Sequence, residues 1–256
     1  MTTANRNPVP VRGSRRQPEA SRSTILAAAL VEFAGEGLAG ARMDAIAASA
    51  GVNKALLYYY FRSKDELYAA VLEEFFQRLQ ARISRALDSG ASAGERVLLY
   101  ARAHFDSVAE SLHYARLFQA EMMSAGREGS PHLSHIVDRY IKPISLRVLG
   151  VLQQGIAVGE FRELDPAQFA PTMAATIVWY FVVSPVVRRL RPGDPYSPRA
   201  IAERRAAVLD FIAAALFVDR KAGMKLAAQI TKQQMDQEPG ARPASQPRTV
   251  APRRRK

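Results

Sequence analysis

Cations, tyrosines and small apolar residues of the kind that contact nucleic acid lie between residues 42 and 64. The candidates are Arg42, Lys54, Ala55, Leu56, Tyr58, Tyr59 and Lys64. Guanidinium, ammonium and phenol groups donate hydrogen bonds to phosphate oxygens, which positions a protein on DNA without reading its sequence. Ala55 and Leu56, with Lys54 or Tyr58, can instead approach base edges. Leu56 could contact only a thymine methyl group there. We therefore expect these residues to bind double-stranded DNA.

Side chains that could carry catalysis are scarce. The chain has no cysteine, which excludes a thiolate nucleophile and a thiolate zinc site. His132, His135 and Asp138 stand at i, i+3 and i+6, a spacing that could hold a metal ion on one helix. They also open a helix after Pro131, where polar residues are simply solvated, and this interpretation is favoured. No glycine-rich phosphate loop or nucleophile motif stands out, so we expect no enzyme, metal site or cofactor.

The elements that must position the candidates follow from the spacing of apolar residues in 42–61. One apolar face of a short helix, with residues at i, i+3, i+4 and i+7, comprises Met43, Ile46, Ala47 and Ala50. Gly51 then interrupts the pattern where the chain must turn, since glycine enters left-handed backbone geometry without steric cost. Asn53 is suited to cap a second helix, which would turn Leu57, Tyr60 and Phe61 inward. This spacing predicts a helix-turn-helix, whose second helix can enter a major groove.

The run GVNKALLYYYFRSKDELYAAV resembles the recognition-helix signature of TetR-type transcriptional repressors. The matching positions are Gly51, Val52, Lys54, Leu57, Tyr58, Tyr60, Phe61, Ser63, Lys64 and Leu67. Residues 25–40 are similar to the first helix of that family and its glycine-rich exit. The resemblance covers about a fifth of the chain, and it implies a homodimer that binds operator DNA.

The chain departs from the family pattern at residues 41–43 and at Leu56. Threonine-type residues usually stand at Ala41, Arg42 and Met43, and one of them caps the second helix; Arg42 can donate to a phosphate but cannot cap. Leu56 stands where a small hydroxyl residue is common, and it cannot hydrogen-bond a base edge. The resemblance therefore does not imply which bases are read.

The rest of the chain predicts an all-α fold, with a three-helix DNA-binding module followed by a C-terminal helical bundle for ligand binding and dimerisation. Apolar spacing and caps predict helices at 23–35, 63–87, 94–112, 113–125, 131–158, 167–190 and 198–220, with 131–158 kinked at Pro143. The expected domains are a disordered basic tail at 1–20, the DNA-binding domain at 21–76, the ligand-binding and dimerisation domain at 77–222, and a tail at 223–256.

Two of these helices are expected to form a homodimer. The segment 167–190 is almost uniformly apolar, so it needs cover on most sides, and one subunit may not supply it. Together with 198–220 from each subunit it would form a four-helix interface. Ile212 lies on the apolar face of 198–220 and is expected to meet the partner, although the same face could serve the subunit's own core.

A small-molecule effector is expected among the aromatic and methionine residues of the C-terminal bundle. The best candidates for lining a pocket are Phe105, Phe118, Met122, Tyr140 and Trp179. Binding sites are mostly apolar with a few polar groups, and bundle interiors commonly hold them. An aromatic stripe at helical spacing is also typical of plain core. Because these stretches carry few charges, an effector should be apolar or aromatic.

Most of the net charge of +12 lies at the two ends of the chain. Residues 1–22 carry five arginines and one glutamate, and residues 239–256 carry five arginines and one lysine. These proline- and arginine-rich ends are expected to be disordered, from about residue 239 onward in the second case. They could serve only solubility, or they could contact DNA phosphates in a salt-dependent way. No signal peptide or run of about 18 apolar residues is seen, so we expect a cytoplasmic protein without a membrane span.

The sequence thus predicts a ligand-responsive repressor that binds a palindromic operator as a homodimer. The main alternative is an effector-independent, architectural DNA-binding protein whose basic tails supply most of the affinity. A steep salt dependence without operator preference would favour that alternative.

Overall fold

The fold is a set of helices around one continuous apolar core. The computed structural model describes residues 18–124, 130–190 and 192–233, and these contain no β-strand. The helices are α1 (Pro18–Gly40), α2 (Met43–Ala50), α3 (Lys54–Tyr60), α4 (Lys64–Ser89), α5 (Ala93–Ala109), α6 (Leu112–Ser124), α7 (Pro131–Ile136), α8 (Lys142–Ala157), α9 (Pro166–Val182), α10 (Ser184–Leu190), α11 (Pro198–Leu216) and α12 (Arg220–Lys232). The predicted all-α class is confirmed. Of the predicted disordered tail at 1–20, residues 18–20 belong to α1 and residues 1–17 lie outside the described residues. The predicted basic end at 239–256 also lies outside them.

Side-chain caps set where several helices begin. Ser63 accepts a hydrogen bond from the Glu66 amide at 3.0 Å, which confirms it as the cap of α4. Helices α5, α7 and α11 are capped in the same way by Ser92, Ser130 and Ser197. Each serine side chain accepts a hydrogen bond from the amide three residues later. Each cap gives a partner to a backbone donor that the first turn of a helix leaves unpaired.

Helix α4 joins the N-terminal helices to the rest of the molecule without a break. Its first half packs on α1, and further along it contacts α5, α6 and α8. Leu67, Val71 and Leu72 are fully buried near its start, and Ile83 and Leu87 are buried near its end. The domain boundary predicted after Phe76 therefore falls inside a continuous helix, with Phe76 itself in the common core.

Prolines interrupt two of the predicted helices in different ways. Ahead of Pro143, residues Val137–Ile141 form a π-helical turn, in which the Lys142 amide donates to Val137 O. Proline has no amide to donate, and this widened turn lies just upstream of it. The predicted helix 167–190 is two helices, α9 and α10, which are bent by 65° at Val183. Pro185 lies in the first turn of α10, where a missing amide costs nothing.

The assignment of residues 223–256 to a tail is wrong for its first part. Residues 220–232 form α12, which packs on α11 and α5 and buries Gly223, Ala227 and Ile230. The Arg102 guanidinium donates to the carbonyls of Ile230 and Gln233 at the end of this helix. A cation at a helix C-terminus pairs with carbonyls that have no helical partner. The folded body therefore extends past residue 222.

Helix α1 is longer than the predicted helix at 23–35, and it is strongly apolar. By length and hydropathy alone, Ser21–Gly40 could span a membrane, as could the bent pair α9 and α10. In the folded chain, however, α1 buries Ile25, Ala29 and Phe33 in the core that it shares with α2 and α4.

Two phenylalanines, Phe161 and Phe217, tie the α8–α9 connection to the α11–α12 connection. Their backbones form an isolated antiparallel bridge, and their rings meet edge to face with centroids 5.3 Å apart. Gly155 of α8 lies directly beneath the Phe161 ring, because a Cβ there would lie 2.2 Å from two ring carbons. The close approach of helix and ring thus requires glycine at this position.

We expect Gly155→Ala to destabilise the protein by about 1–3 kcal/mol, as overpacking of a filled core does. Gly150→Ala is the matched control, since it lies on the same helix with nothing within 4 Å of the added Cβ. Alanine there should be neutral or stabilising, because it favours a helix more than glycine does. Urea unfolding of both variants at one protein concentration measures the difference, and equal midpoints would contradict this packing.

Candidate nucleic-acid interface

Helices α2 and α3 form the predicted helix-turn-helix. The buried face of α2 consists of the predicted residues Met43, Ile46, Ala47 and Ala50. Gly51 ends this helix in the left-handed conformation, at φ 65° and ψ 32°. Its amide and that of Val52 donate to carbonyls in the last turn of α2. Since such a turn closes a helix without a Cβ penalty only for glycine, Gly51 confirms the turn that the sequence predicts.

Helix α3 is short and divides sharply into two faces. Asn53 caps it as predicted, with its Oδ1 accepting from the Leu56 amide at 2.7 Å. Leu57 is fully buried, and Phe61 just beyond the helix is 2% exposed. These two apolar anchors fix which side of α3 remains free.

The outward side of α3 carries the candidates that the sequence selects. Tyr59 is 79% exposed and Tyr58 is 41% exposed. Lys54 and Ala55 are exposed on the same helix, and Leu56 is half-buried. Ammonium, phenol and small apolar groups are therefore presented together on one surface, as a helix that approaches DNA requires.

Arg42 is exposed at the start of α2, and its side chain makes no capping hydrogen bond. Its backbone amide instead donates to Glu32 Oε1 of α1 at 3.1 Å. The predicted absence of an N-cap side chain is confirmed, and a carboxylate from another helix pairs with the amide in its place. The guanidinium therefore has no role in capping α2.

Lys64 is placed differently from the other candidates. It is half-buried, and its Nζ donates to Ala39 O at 2.9 Å and to Ala41 O at 3.2 Å. Its ammonium thus faces the end of α1 rather than the surface that Tyr58 and Tyr59 share. Lys64 therefore lies next to the residue that precedes Arg42, with its ammonium bonded to backbone carbonyls.

Asp44 is an acidic residue within this basic surface, and sequence reasoning missed it. Its Oδ1 lies 2.7 Å from Lys54 Nζ, and both side chains are exposed. The hydrogen bond from Lys54 holds the pKa of Asp44 below its usual value, and the same bond raises the pKa of Lys54. Arg42 acts on Asp44 in the same direction more weakly. Asp44 therefore pairs with Lys54, a cation that would otherwise be free for phosphates.

Arg22 is a second residue near this surface that the sequence analysis did not select, because it was counted with the basic N-terminal end. It lies in α1, and its guanidinium stacks over the Phe61 ring at 5.4 Å from the centroid. Arginine stacked on an aromatic ring remains charged and keeps its donors available. The exit of α3 thus has a cation beside it, which only the packing of α1 against the module could reveal.

The five pocket candidates do not line a common cavity. Phe105 is fully buried and packs on Phe181, with ring centroids 5.2 Å apart. Met122 is 56% exposed near the end of α6, and Trp179 is 62% exposed on α9. Trp179 borders an open groove of about 540 Å³ between α9 and α11. These three residues are separate core and surface positions.

The other two pocket candidates, Phe118 and Tyr140, meet at α4. Phe76 of α4 lies 5.5 Å from the Phe118 ring and 6.1 Å from the Tyr140 ring, measured between centroids. The Tyr140 hydroxyl donates to Glu73 Oε1 at 2.8 Å. An apolar cluster with one polar group therefore lies against the helix that carries the DNA module.

The histidines considered for a metal site contact carboxylates of α4 instead. His132 Nε2 lies 3.0 Å from Asp65 Oδ1, and His135 Nε2 lies 3.9 Å from Glu73 Oε1. Within residues 18–124, 130–190 and 192–233, no group of three or more His, Cys, Asp or Glu side chains could hold a metal ion.

Two family models match this chain, one in its N-terminal part and one in its C-terminal part. Residues 25–71 match the model described as "Bacterial regulatory proteins, tetR family". Residues 94–212 match the model described as "Tetracyclin repressor-like, C-terminal domain". The first match covers α2, α3 and the buried parts of α1 and α4 that hold them.

Two relatives of similar length are transcriptional repressors by name. The HTH-type transcriptional repressor SCO4008 of Streptomyces coelicolor is 33% identical over 180 residues, which are 70% of this chain and 86% of that protein. The HTH-type transcriptional repressor KstR2 of Mycolicibacterium smegmatis is 27% identical over 196 residues, 75% of this chain and 90% of that protein. The structure of the ketosteroid transcriptional regulator KstR2 of Mycobacterium tuberculosis superimposes with a TM-score of 0.64 at 27% identity, over 77% of this chain and 95% of that one.

We expect Asp44→Asn to strengthen binding to duplex DNA of any sequence, because it frees Lys54 and removes a charge that phosphates repel. The slope of log K against log salt concentration should steepen by about 0.9, the value for one further phosphate neutralised. Asp88→Asn is the matched control: Asp88 is an exposed partner of Arg147 at the opposite end of α4. Fluorescence anisotropy over a salt series measures both variants, and equal slopes would contradict this role of Asp44.

Proposed function

The chain belongs to the TetR family of bacterial regulatory proteins, and we propose that it is a transcriptional repressor that binds a palindromic operator as a homodimer and leaves it when a small apolar or aromatic effector binds. The observation that carries this proposal is the two-faced α3, which is anchored by Leu57 and Phe61 and presents Lys54, Tyr58 and Tyr59. Its site of action would be the cytoplasm, where bacterial DNA lies.

The dimensions of α3 suit a major groove. An α-helix with its side chains is about 10–12 Å across, and the groove is about 12 Å wide. Lys54, Tyr58 and Tyr59 would contact phosphates, as would Arg42, and Ala55 would face the bases. Leu56 is half-buried, so its contact would be limited to a methyl group at the groove floor. One such helix reads few base pairs, which favours a two-fold dimer on a palindrome.

The exposed apolar faces of α9, α10 and α11 support the homodimer. The α9–α11 groove is bordered by Trp179 and by Phe211, which is 57% exposed. Its other lining residues are the apolar Ala175, Ala207 and Val208 and the polar Thr172, Thr176 and Arg204. Val186 and Leu190 of α10 continue the exposed apolar surface. Contiguous apolar surface of this kind is typical of protein interfaces.

The face of α11 expected to meet the partner needs correction. Ile212 is 1% exposed, and Val208, Leu209 and Leu216 are buried with it in the subunit's own core. Phe211, the neighbour of Ile212, lies on the outward side. Helix α11 is apolar on both sides, so the sequence pattern alone could not separate the core face from the interface face.

The cluster of Phe76, Phe118 and Tyr140 supports an effector that acts through α4. A ligand inserted between these rings must move them or the helix, because cores are close-packed. Helix α4 begins at the DNA module, so its displacement would change the spacing of the two recognition helices. An effector shifts that equilibrium only by its difference in affinity for the two states. Relatives named for regulating ketosteroid and fatty acid metabolism fit an apolar ligand.

The effector-independent alternative places most of the affinity in basic ends that lie outside the described residues. It predicts equal binding to all sequences with a steep salt dependence, whereas the favoured function predicts one preferred palindrome. Selection of duplexes from a random pool by the full-length protein separates the two.

Lys54→Ala and Tyr59→Ala should each weaken binding to the selected operator by about 1–3 kcal/mol, as the loss of one phosphate or base contact does. Lys225→Ala on α12 is the control, since it removes an exposed cation distant from α3. Anisotropy titrations measure the affinities, and circular dichroism checks the fold. Wild-type affinity in both α3 variants, with helicity intact, would contradict the proposal that this surface binds the operator.

Phe211→Asp should give a folded monomer with reduced operator affinity. A two-fold interface buries the new charge twice, and an unpaired buried charge costs several kcal/mol. Val158→Asp is the control, because Val158 is 68% exposed at the end of α8, away from the α9–α11 groove. Sedimentation velocity together with circular dichroism measures both. A wild-type protein that sediments as a monomer at micromolar concentration, with and without operator, would overturn the dimer.

A further inference from the structure

We propose that Arg204 and Arg205, two adjacent arginines of α11, fix the rotation of that helix about its own axis and thereby decide which of its apolar faces meets the partner subunit. Both are positioning residues, because neither needs to touch the partner for this role. The proposal rests on the homodimer proposed above. The two arginines would account for the outward position of Phe211 and the buried position of its neighbour Ile212.

The second half of α11 carries almost no polar residue that could set its rotation. In residues 206–216 the only polar side chain is Asp210. Consecutive residues of an α-helix are about 100° apart, so a turn by one residue would replace Ile212 by Phe211 in the core. Both side chains are large and apolar, and burial would be favourable for either. Hydrophobicity alone therefore does not specify one rotational setting of this helix.

Arg205 lies on the same side of α11 as the residues that the subunit buries in its own core. It precedes Val208, Leu209 and Ile212 by three, four and seven positions, which is the spacing of one helical face. Its Nε lies 2.6 Å from Oδ1 of Asp106, a buried residue of α5. The core face of α11 is therefore tied to α5 at one defined point.

The burial of Asp106 makes this contact selective. Burial raises the pKa of Asp106 above its usual value, and the nearby guanidinium groups of Arg205 and Arg102 oppose that shift. Arg102 Nε lies 3.5 Å from the other carboxylate oxygen of Asp106. A buried carboxylate that loses one partner is costly, whereas an intact buried pair contributes little net stability. The contact between Arg205 and Asp106 therefore acts on the arrangement of α11 more than on the stability of the fold.

Arg204 holds α11 against a different helix. Its Nη2 donates to Thr176 O of α9 at 3.4 Å, and its guanidinium lies over the Tyr180 ring of the same helix, 5.2 Å from the centroid. Because neighbouring residues are about 100° apart around the helix axis, Arg204 and Arg205 leave α11 in two different directions. Each direction has its own partner helix, so both cations are paired in this rotational setting.

A turn of α11 by one residue in either direction breaks this match. In one direction Arg204 would reach the α5 carboxylate, but Glu203 would then point at the α9 carbonyl oxygen, which repels a carboxylate. In the other direction Ala206 would take the place of Arg205, and the buried carboxylate would lose its partner on α11. Unfavourable contacts in the alternative settings are a general source of specificity. The charges therefore select the setting that hydrophobicity leaves open.

Thiol labelling tests the rotation directly, since the chain has no cysteine of its own. Val208 and Leu209 are buried, and a turn by one residue exposes one or the other according to its direction. The test variant is Asp106→Leu with Arg205→Met, because replacing both partners of a buried pair by apolar residues is often tolerated. In that background Val208→Cys or Leu209→Cys should react at least about tenfold faster than in the native background, since a buried thiol reacts only through rare opening. Ile83→Cys on α4 reports opening of the whole core and should not react faster.

Dimer affinity of the same variant, without a cysteine, gives the second readout. If about one half to one third of the subunits keep the competent setting, the dissociation constant of the dimer should rise about fourfold to ninefold, because both subunits must be competent. Sedimentation velocity measures this change. Ile25→Val is the control: it removes a buried methyl group from α1, which packs on α2, α4 and α6, and it should keep the wild-type dimer affinity. Unchanged labelling at both α11 positions in a folded variant, or faster labelling with unchanged dimer affinity, would overturn the proposal.

Arg204→Met provides a second variant should the double replacement fail to fold. It removes the contacts with α9 and leaves the buried pair, so labelling on α11 should accelerate by about twofold to fivefold, the equivalent of one lost cation–π contact. Arg199→Met is the matched control, since Arg199 is an exposed arginine near the start of the same helix. Equal labelling rates in Arg204→Met and Arg199→Met would overturn the proposal. If the wild-type protein sediments as a monomer, the proposed homodimer fails, and labelling alone decides whether the arginines set the rotation.

Discussion

A recognition helix of seven residues is too short to be stable in water by itself, because a helix gains stability only after a costly nucleus and about 12 residues or more. Its conformation here depends on two buried anchors, Leu57 and Phe61, and on caps at either end. The anchors need a core, which α1, α2 and the start of α4 supply. The remaining helices in turn hold α4, so the geometry of the DNA-facing surface derives from packing throughout the molecule.

Helix α4 is held by polar contacts as well as by apolar packing. Asp65 contacts His132, Glu73 accepts from Tyr140, and Arg82 makes a bidentate pair with Glu110, the residue that follows α5. Tyr68 also donates to Glu121, a carboxylate that is almost fully buried on α6. Burial and this contact raise the pKa of Tyr68 far above its ordinary value, so its hydroxyl remains a donor. Directional contacts of this kind specify one arrangement of α4 more narrowly than apolar contacts would.

Features that depend on neighbouring residues could be predicted from the sequence, and features that depend on distant ones could not. Gly51, Asn53 and Ser63 act within three or four residues of their own positions, so their roles as turn and caps follow from residue type. The contacts of Lys64 with Ala39 and Ala41 cross more than twenty positions in the chain. Nothing in its local pattern separates it from Lys54. Likewise, Phe211 and Ile212 are adjacent and both apolar, and only the packing of α11 shows which one faces outward.

Helix α12 packs on α11 and α5, so the folded unit extends beyond the residues that the family model matches. Sequence similarity to the family model ends at residue 212, inside α11. Folding does not end there, because the buried Arg102 of α5 holds the last carbonyls of α12, and Gly223 lies against the Phe217 ring. A chain that ended at residue 212 would lack α12, and the Arg102 guanidinium would lose its two carbonyl acceptors. The region that the family model matches is therefore shorter than the folded unit, which includes α12.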